Sequence, residues 1–248
     1  MVKYLLSRVA YAALRRGYRL PRFEVLTRLN EKQSLIDLLK RLRINCFIDV
    51  GANKGTYAKS LRDLGYEGSI FCFEPILEDF EHILEISKGD ESWKTFNFAI
   101  GSRDTQSKFN IIRTGPQTVL SSLWETSYVT SESIEKTTVP VRRLDSVFRD
   151  EAIPRGDLRI FLKTDTQGND LEVVKGAGEL LPYMMGIQCE IAVVPMYKQC
   201  PRYIEALSFL ESLDYSLFNL NVVLRAENGC IREYDCLMAR VDELSAPA

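Results

Sequence analysis

Four acidic residues fall within or just after apolar runs, the places where a sheet can present chemistry. They are Asp49 in Phe47-Ile48-Asp49-Val50, Glu74 after Ile70-Phe71-Cys72-Phe73, Asp165 after Phe161-Leu162-Lys163-Thr164, and Glu190 in Ile187–Ile191. A carboxylate so placed can accept hydrogen bonds from a hydroxylated or cationic ligand, or take a proton from a reacting hydroxyl. Lys163 precedes Asp165 by two residues, so both side chains leave a strand on the same side. Asp165 is therefore the first candidate for a general base and Glu190 the second, with Lys163 orienting or tuning Asp165. A purely structural ion pair is an equal reading of Lys163 and Asp165. The single histidine, His82, falls in a helical pattern and is given no role.

The turn behind the first acid narrows the ligand. Gly51-Ala52-Asn53-Lys54-Gly55-Thr56 follows a strand-like run and opens a helix-like one, and its glycines let backbone and ligand approach closely. A dinucleotide fingerprint needs a glycine where Asn53 stands. A phosphate-binding P-loop needs its lysine after the second glycine, whereas Lys54 precedes Gly55. The remaining form, Asp-x-Gly-x-x-x-Gly, is similar to the turn of S-adenosylmethionine-dependent methyltransferases, whose cofactor carries no phosphate. Glu74, at the end of the next strand, is placed to grip both hydroxyls of a ribose, as an acid does in nucleoside-binding sheets.

Those residues need a parallel sheet to hold them, and the pattern supplies one. From Asn45 strand and helix alternate: a strand over 46–50, a helix over 55–64, a strand over 69–73, a helix over 77–87 and a strand over 95–100. Residues 101–150 interrupt the alternation with two strand-like runs, 107–113 and 137–143. This is an inserted hairpin and lid in which Trp124 and Tyr128 are placed to close over a substrate. The buried strand ending at Asp165 leads through a glycine turn into a helix containing Leu171, Val174 and Leu180. A strand over 187–191, a helix over 202–213 and a terminal antiparallel hairpin, 216–225 and 231–241, complete seven strands.

Before the sheet, residues 2–20 read as a basic amphipathic helix and residues 31–43 as a second one. Residues 1–45 hold eleven basic and three acidic side chains in a chain of net charge −2, so the remainder is acidic. Nucleic-acid binding is then not an overall property. The arm either caps the domain with a solvated basic face, the favoured reading, or touches an anionic membrane surface from the cytoplasmic side. Arg8 breaks the apolar stretch before Ala10-Tyr11-Ala12, which argues against a secretory signal. The six cysteines include no Cys-x-x-Cys pair, which argues against zinc or iron–sulfur sites and for a reducing compartment.

Several segments together resemble the FkbM family of S-adenosylmethionine-dependent methyltransferases: Phe47–Gly55, Phe73-Glu74-Pro75, Asn97–Gly101, Arg143-Leu144-Asp145 and Lys163–Gly168. The resemblance spans about residues 45–240. It implies a Rossmann-like class I domain, one domain over 45–248 after an N-terminal extension over 1–44. It also implies transfer of a methyl group to a hydroxyl on a sugar, glycolipid or secondary metabolite. Asp49, Gly51, Asn53, Gly55, Glu74, Pro75, Ala99 and Ile100 would then hold S-adenosylmethionine, the last two beside its adenine. This chain has Thr166-Gln167 where the family more often has an apolar residue and a glutamate, so one carboxylate beside Asp165 is missing. Asp165, Asp170 and Glu190 could offer oxygens to a divalent metal, but their spacing is not diagnostic and no metal is expected. A nucleotide-dependent oxidoreductase and a non-catalytic relative of the fold are the alternatives.

Overall fold

The computed structural model describes residues 11–12, 15–17, 24–113, 118, 120–126 and 134–245. The chain divides into two compact units, residues 1–37 and residues 38–248. Most of the expected helix over 2–20 lies outside the described residues, as does Tyr128. Helix α1 (Glu24–Arg41) starts seven residues before the expected position. No helix among the described residues is long and apolar enough to cross a membrane.

Seven strands form the main sheet: β1 (Cys46–Val50), β2 (Ser69–Phe73), β3 (Trp93–Phe96), β7 (Ile160–Thr164), β8 (Met184–Ala192), β9 (Tyr215–Arg225) and β10 (Ile231–Arg240). Their order is β3-β2-β1-β7-β8-β10-β9. The first five pair in parallel, and β10 runs antiparallel to both β8 and β9. All five residues of β1 and all five of β7 are buried, because helices cover both faces of a parallel sheet. That explains why the acids at 49 and 165 stand out against otherwise apolar runs.

Helices fill the crossovers with short apolar stripes. Helix α2 (Thr56–Asp63) buries Ala58 and Leu61, and α3 (Leu77–Ile86) buries Asp79 and Ile83. Helix α5 (Asp170–Ala177) buries Asp170, Val173, Val174 and Ala177, a spacing that keeps one face inward. Helix α6 (Tyr203–Glu211) leads to the terminal hairpin, and α7 (Val241–Ser245) follows it. Four of the six cysteines, Cys46, Cys72, Cys189 and Cys236, are buried free thiols in strands.

Two expectations are corrected in the middle of the chain. Residues 95–100 do not form one strand: β3 ends at Phe96, and β4 (Ala99–Ile100) joins a separate three-stranded sheet. Asn97 makes the break, its side-chain amide donating to the carbonyls of Glu74 (3.0 Å) and Pro75 (3.1 Å). The inserted runs are β5 (Thr105–Ile112) and β6 (Ile134–Arg142), antiparallel to each other, with β4 parallel to β6 on its other side. This sheet has its own small core of Phe109, Ile111, Val139 and Val141 against Ile76 and Ala99. Helix α4 (Leu144–Asp150), also unforeseen, buries Leu144, Val147 and Phe148 before the chain re-enters the main sheet.

Candidate active site

The strand order reverses at β1, with β2 on one side and β7 on the other, and ligands of open sheets bind at such a switch. The carboxyl ends of these strands open into a cleft. Gly51 and Asn53 form its floor, Glu74, Pro75 and Ile76 one side, Ala99, Ile100 and Phe109 an apolar wall. Thr118, Ser121 and Leu123 from the inserted segment and Asp165, Thr166, Gln167 and Asn169 from the turn after β7 complete the lining.

The floor depends on its backbone. Gly51 has φ +74°, and a Cβ there would meet the Asp165 carbonyl oxygen at 2.1 Å, so the two strand ends touch through the missing side chain. Asn53 is also left-handed at φ +48°, a conformation asparagine tolerates better than most residues. Its backbone N–H donates to Glu74 Oε2 at 2.8 Å, and the Ile76 N–H donates to Oε1 at 2.9 Å. Each Glu74 oxygen keeps a second lone pair. Burial pushes Glu74 up to about 7, with the two amide donors pulling the other way and Asp79 and Asp49 adding to the rise.

The inserted segment is tied across this floor. Thr118 Oγ1 donates to Asp79 Oδ2 (2.5 Å) and accepts from Asn53 Nδ2 (2.8 Å). Ser122 Oγ donates to the Gln167 carbonyl at 2.8 Å, and Ser121 Oγ accepts from the Ile112 N–H at 3.0 Å. Trp124 lines a second, more open groove beside the cleft together with Arg103, Glu172 and Gln199.

Under the floor lies a buried ion pair. Asp49 is fully buried and faces Lys163 on the neighbouring strand, Oδ1 to Nζ 3.0 Å, the two being register partners. Asp165 Oδ2 is 3.6 Å from the same ammonium and stays partly exposed. Burial works against the Lys163 charge, but the Asp49 and Asp165 carboxylates outweigh it and hold the ammonium above its usual range. Asp170, pushed up to about 6 by burial, accepts from the Thr166 and Gly168 N–H groups and so shapes the turn. Burial raises Glu190 well above the ordinary carboxylate range, with Asp165 and Glu233 adding to it.

Over residues 49–217, more than half its length, the chain matches the family model described as the Methyltransferase FkbM domain. The chain belongs to the FkbM methyltransferase family. Among curated proteins, none matches the sequence. Among solved structures, this FkbM domain is similar to magnesium protoporphyrin IX methyltransferase (ChlM) from Synechocystis PCC 6803, solved with bound SAM. That match has 10% identity and a TM-score of 0.44 over 93% of this chain and 91% of the other. An rRNA methylase from Streptococcus thermophilus matches at 9% identity and a TM-score of 0.43, over 79% of this chain and 87% of the other. Precorrin-6y C5,15-methyltransferase from Geobacter metallireducens GS-15 matches at 12% identity and a TM-score of 0.41, over 82% and 84%. The sheet is the mostly parallel, seven-stranded, Rossmann-like type with a terminal antiparallel hairpin.

Of the residues singled out in this FkbM-family sequence, the fold brings Gly51, Asn53, Glu74, Pro75, Ala99, Ile100 and Asp165 onto one cleft. Asp49, Gly55, Lys163 and Glu190 do not line it. Asp49 and Lys163 lie beneath it as a pair, and Gly55, with φ +69°, sits against Ile83 and Ile86 of α3 at the start of α2. Glu190 stands one residue away, linked to the lining through the Gln167 side chain. His82 is exposed on α3. Among the described residues no group of three or more histidine, cysteine or acidic side chains is arranged to hold a metal ion. Thr118, Phe109, Gln167 and Asn169 were not foreseen as lining. Phe109 could have been found from its place in a predicted strand of the insert, whereas Thr118 gives no signal outside the fold.

Proposed function

We propose that this FkbM-family domain binds S-adenosylmethionine in the cleft and methylates a hydroxyl group of a small-molecule, glycan or glycolipid acceptor. The cleft suits a phosphate-free nucleoside: its floor is closed by Gly51 against Asp165, its described lining residues include no cations, and an apolar wall faces a buried acid. Glu74 is the observation that carries the cofactor reading. Its two oxygens are oriented by backbone amides and each retains acceptor capacity toward a ribose hydroxyl. Ala99, Ile100, Phe109 and Leu123 offer the apolar surface an adenine needs. Asp49 acts from below by fixing Lys163.

S-adenosylmethionine, when bound, supplies an electrophilic methyl group on a sulfonium with a good leaving group. This chain then has to align an acceptor, exclude water and receive a proton. Asp165 is exposed to the cleft and anchored by Lys163, which suits it to orient the acceptor hydroxyl. Glu190, joined to Asp165 through the Gln167 amide and raised by burial above the ordinary carboxylate range, is the second group placed to receive the hydroxyl proton. The test is calorimetric titration with S-adenosylmethionine and, separately, NADH. Binding of the first alone, lost in Glu74→Ala, is expected. Asp165→Asn should retain binding and lose transfer to hydroxylated glycan or lipid acceptors. No binding of S-adenosylmethionine by the wild type refutes the proposal.

A further inference from the structure

Gln167 is held more tightly than a turn residue needs to be. It is buried and left-handed at φ +53°. Its side-chain nitrogen lies 3.1 Å from Asp165 Oδ1 and 3.3 Å from Glu190 Oε1, so one amide group donates to two carboxylates. Its side-chain oxygen accepts from the Tyr197 hydroxyl at 2.9 Å, which fixes which way the amide faces. The same hydroxyl is 2.9 Å from the Leu120 carbonyl, and the Gln167 carbonyl accepts from Ser122 Oγ at 2.8 Å. The inserted segment therefore bears on Gln167 twice, through its backbone carbonyl at Ser122 and through its tyrosine partner at Leu120. Gly168 makes room for this: a Cβ there would stand 3.2 Å from Trp124 and 3.3 Å from Tyr197.

We propose that Gln167 is a positioning residue that holds Asp165 and Glu190 together as a working pair, and that the inserted segment sets its orientation through Tyr197 and Ser122. This rests on the reading of Asp165 and Glu190 as the acceptor-side carboxylates. The two acids repel each other, and the groups around them add to the repulsion. Asp170 on α5 and Glu233 and Asp235 on β10 face Glu190, with Tyr197 and Cys200 beside the group, while Arg232 offsets Glu233 and Lys163 serves Asp165 from β7. The two N–H bonds of one neutral amide stabilise both carboxylates without adding charge. A glutamate at 167 could donate to neither while ionised and would add a third negative charge. Glutamine here bridges the pair where a glutamate would repel it.

The test is a pH titration of the Glu190 side-chain carboxyl by carbon-13 NMR on the protein alone, the signal being assigned by its loss in Glu190→Gln. Gln167→Met keeps the side chain's length and removes both donors, so the Glu190 midpoint should rise by about one pH unit or more, the scale of a hydrogen bond to a charged group. Gln167→Glu should raise it further. Tyr197→Phe, which only frees the amide to turn, should raise it by less than Gln167→Met. A midpoint unmoved in folded Gln167→Met overturns the proposal. Should that variant fail to fold, as judged by circular dichroism, Tyr197→Phe and Gln167→Glu decide in its place, and no rise in either overturns it. The titration needs no cofactor, so it stands apart from failure of the wild type to bind S-adenosylmethionine.

Discussion

Lowering the pH from 8 to 6 should weaken S-adenosylmethionine binding about tenfold beyond any effect of the ligand's own titration, with Glu74 as the cause. Ribose hydroxyls donate, so they need the carboxylate and not the acid. With a pKa of about 7, Glu74 is roughly nine-tenths ionised at pH 8 and one-tenth ionised at pH 6. The apo protein should respond in the opposite sense. The folded-state pKa lies above the ordinary value of 4.5, so the stability it contributes is present below that value and lost as pH rises through about 7. That loss is on the order of 3 kcal/mol across the window. Calorimetry at pH 6, 7 and 8 on wild type and Glu74→Gln separates the terms. The ligand ammonium, Asp170 (about 6) and Asp235 (about 7) titrate in both proteins and cancel in the difference. Parallel pH profiles for the two proteins would refute the assignment of Glu74 to the ribose.

Three further outcomes follow from the packing. Lys163→Met leaves Asp49 buried without its counter-ion and should cost about 3–5 kcal/mol in urea unfolding, most of it recovered in the double variant with Asp49→Leu. Gly51→Ala places a Cβ 2.1 Å from the Asp165 carbonyl in a left-handed conformation. Roughly 2–5 kcal/mol of destabilisation and loss of cofactor binding should result, measured by denaturation and calorimetry. Thr118→Val removes the hydroxyl shared by Asp79 and Asn53, should cost about 1–3 kcal/mol in urea unfolding, and should speed amide hydrogen exchange at 120–126 while the main-sheet strands stay protected.

The parallel strands were legible because burial on both faces writes a continuous apolar run, as in β1 and β7. Glu74 was legible because an acid closing such a run has few other reasons to be there. The break at Asn97 was not, since Thr95-Phe96-Asn97-Phe98-Ala99-Ile100 alternates as a strand should, and only the carbonyls of Glu74 and Pro75 show why it bends. Helix α4 left a readable mark in Leu144, Val147 and Phe148, but seven residues are too short for periodicity to decide. The burial of Asp49 was hidden for another reason. Its partner is 114 residues away, and only the register of β1 against β7 puts the two side by side.

Because Ile100 pairs with Arg142, the chain leaves the core and returns to it at one point. The described residues between them form a cassette whose ends are already joined, with its own sheet and its own small core. Such a cassette can lengthen, shorten or be exchanged without shifting a single register in the seven-stranded sheet. Among the described residues its ties to the rest of the domain include Thr118 to Asp79 and Asn53, Ser122 to the Gln167 carbonyl, and the Leu120 carbonyl to Tyr197. Selection on the cleft reaches into the cassette as well, because Phe109 and Leu123 line it beside Ala99 and Ile100. Grafting residues 101–141 from one family member onto another would therefore exchange part of the cleft's apolar wall along with the cassette, while Gly51, Asn53 and Glu74 stay in place.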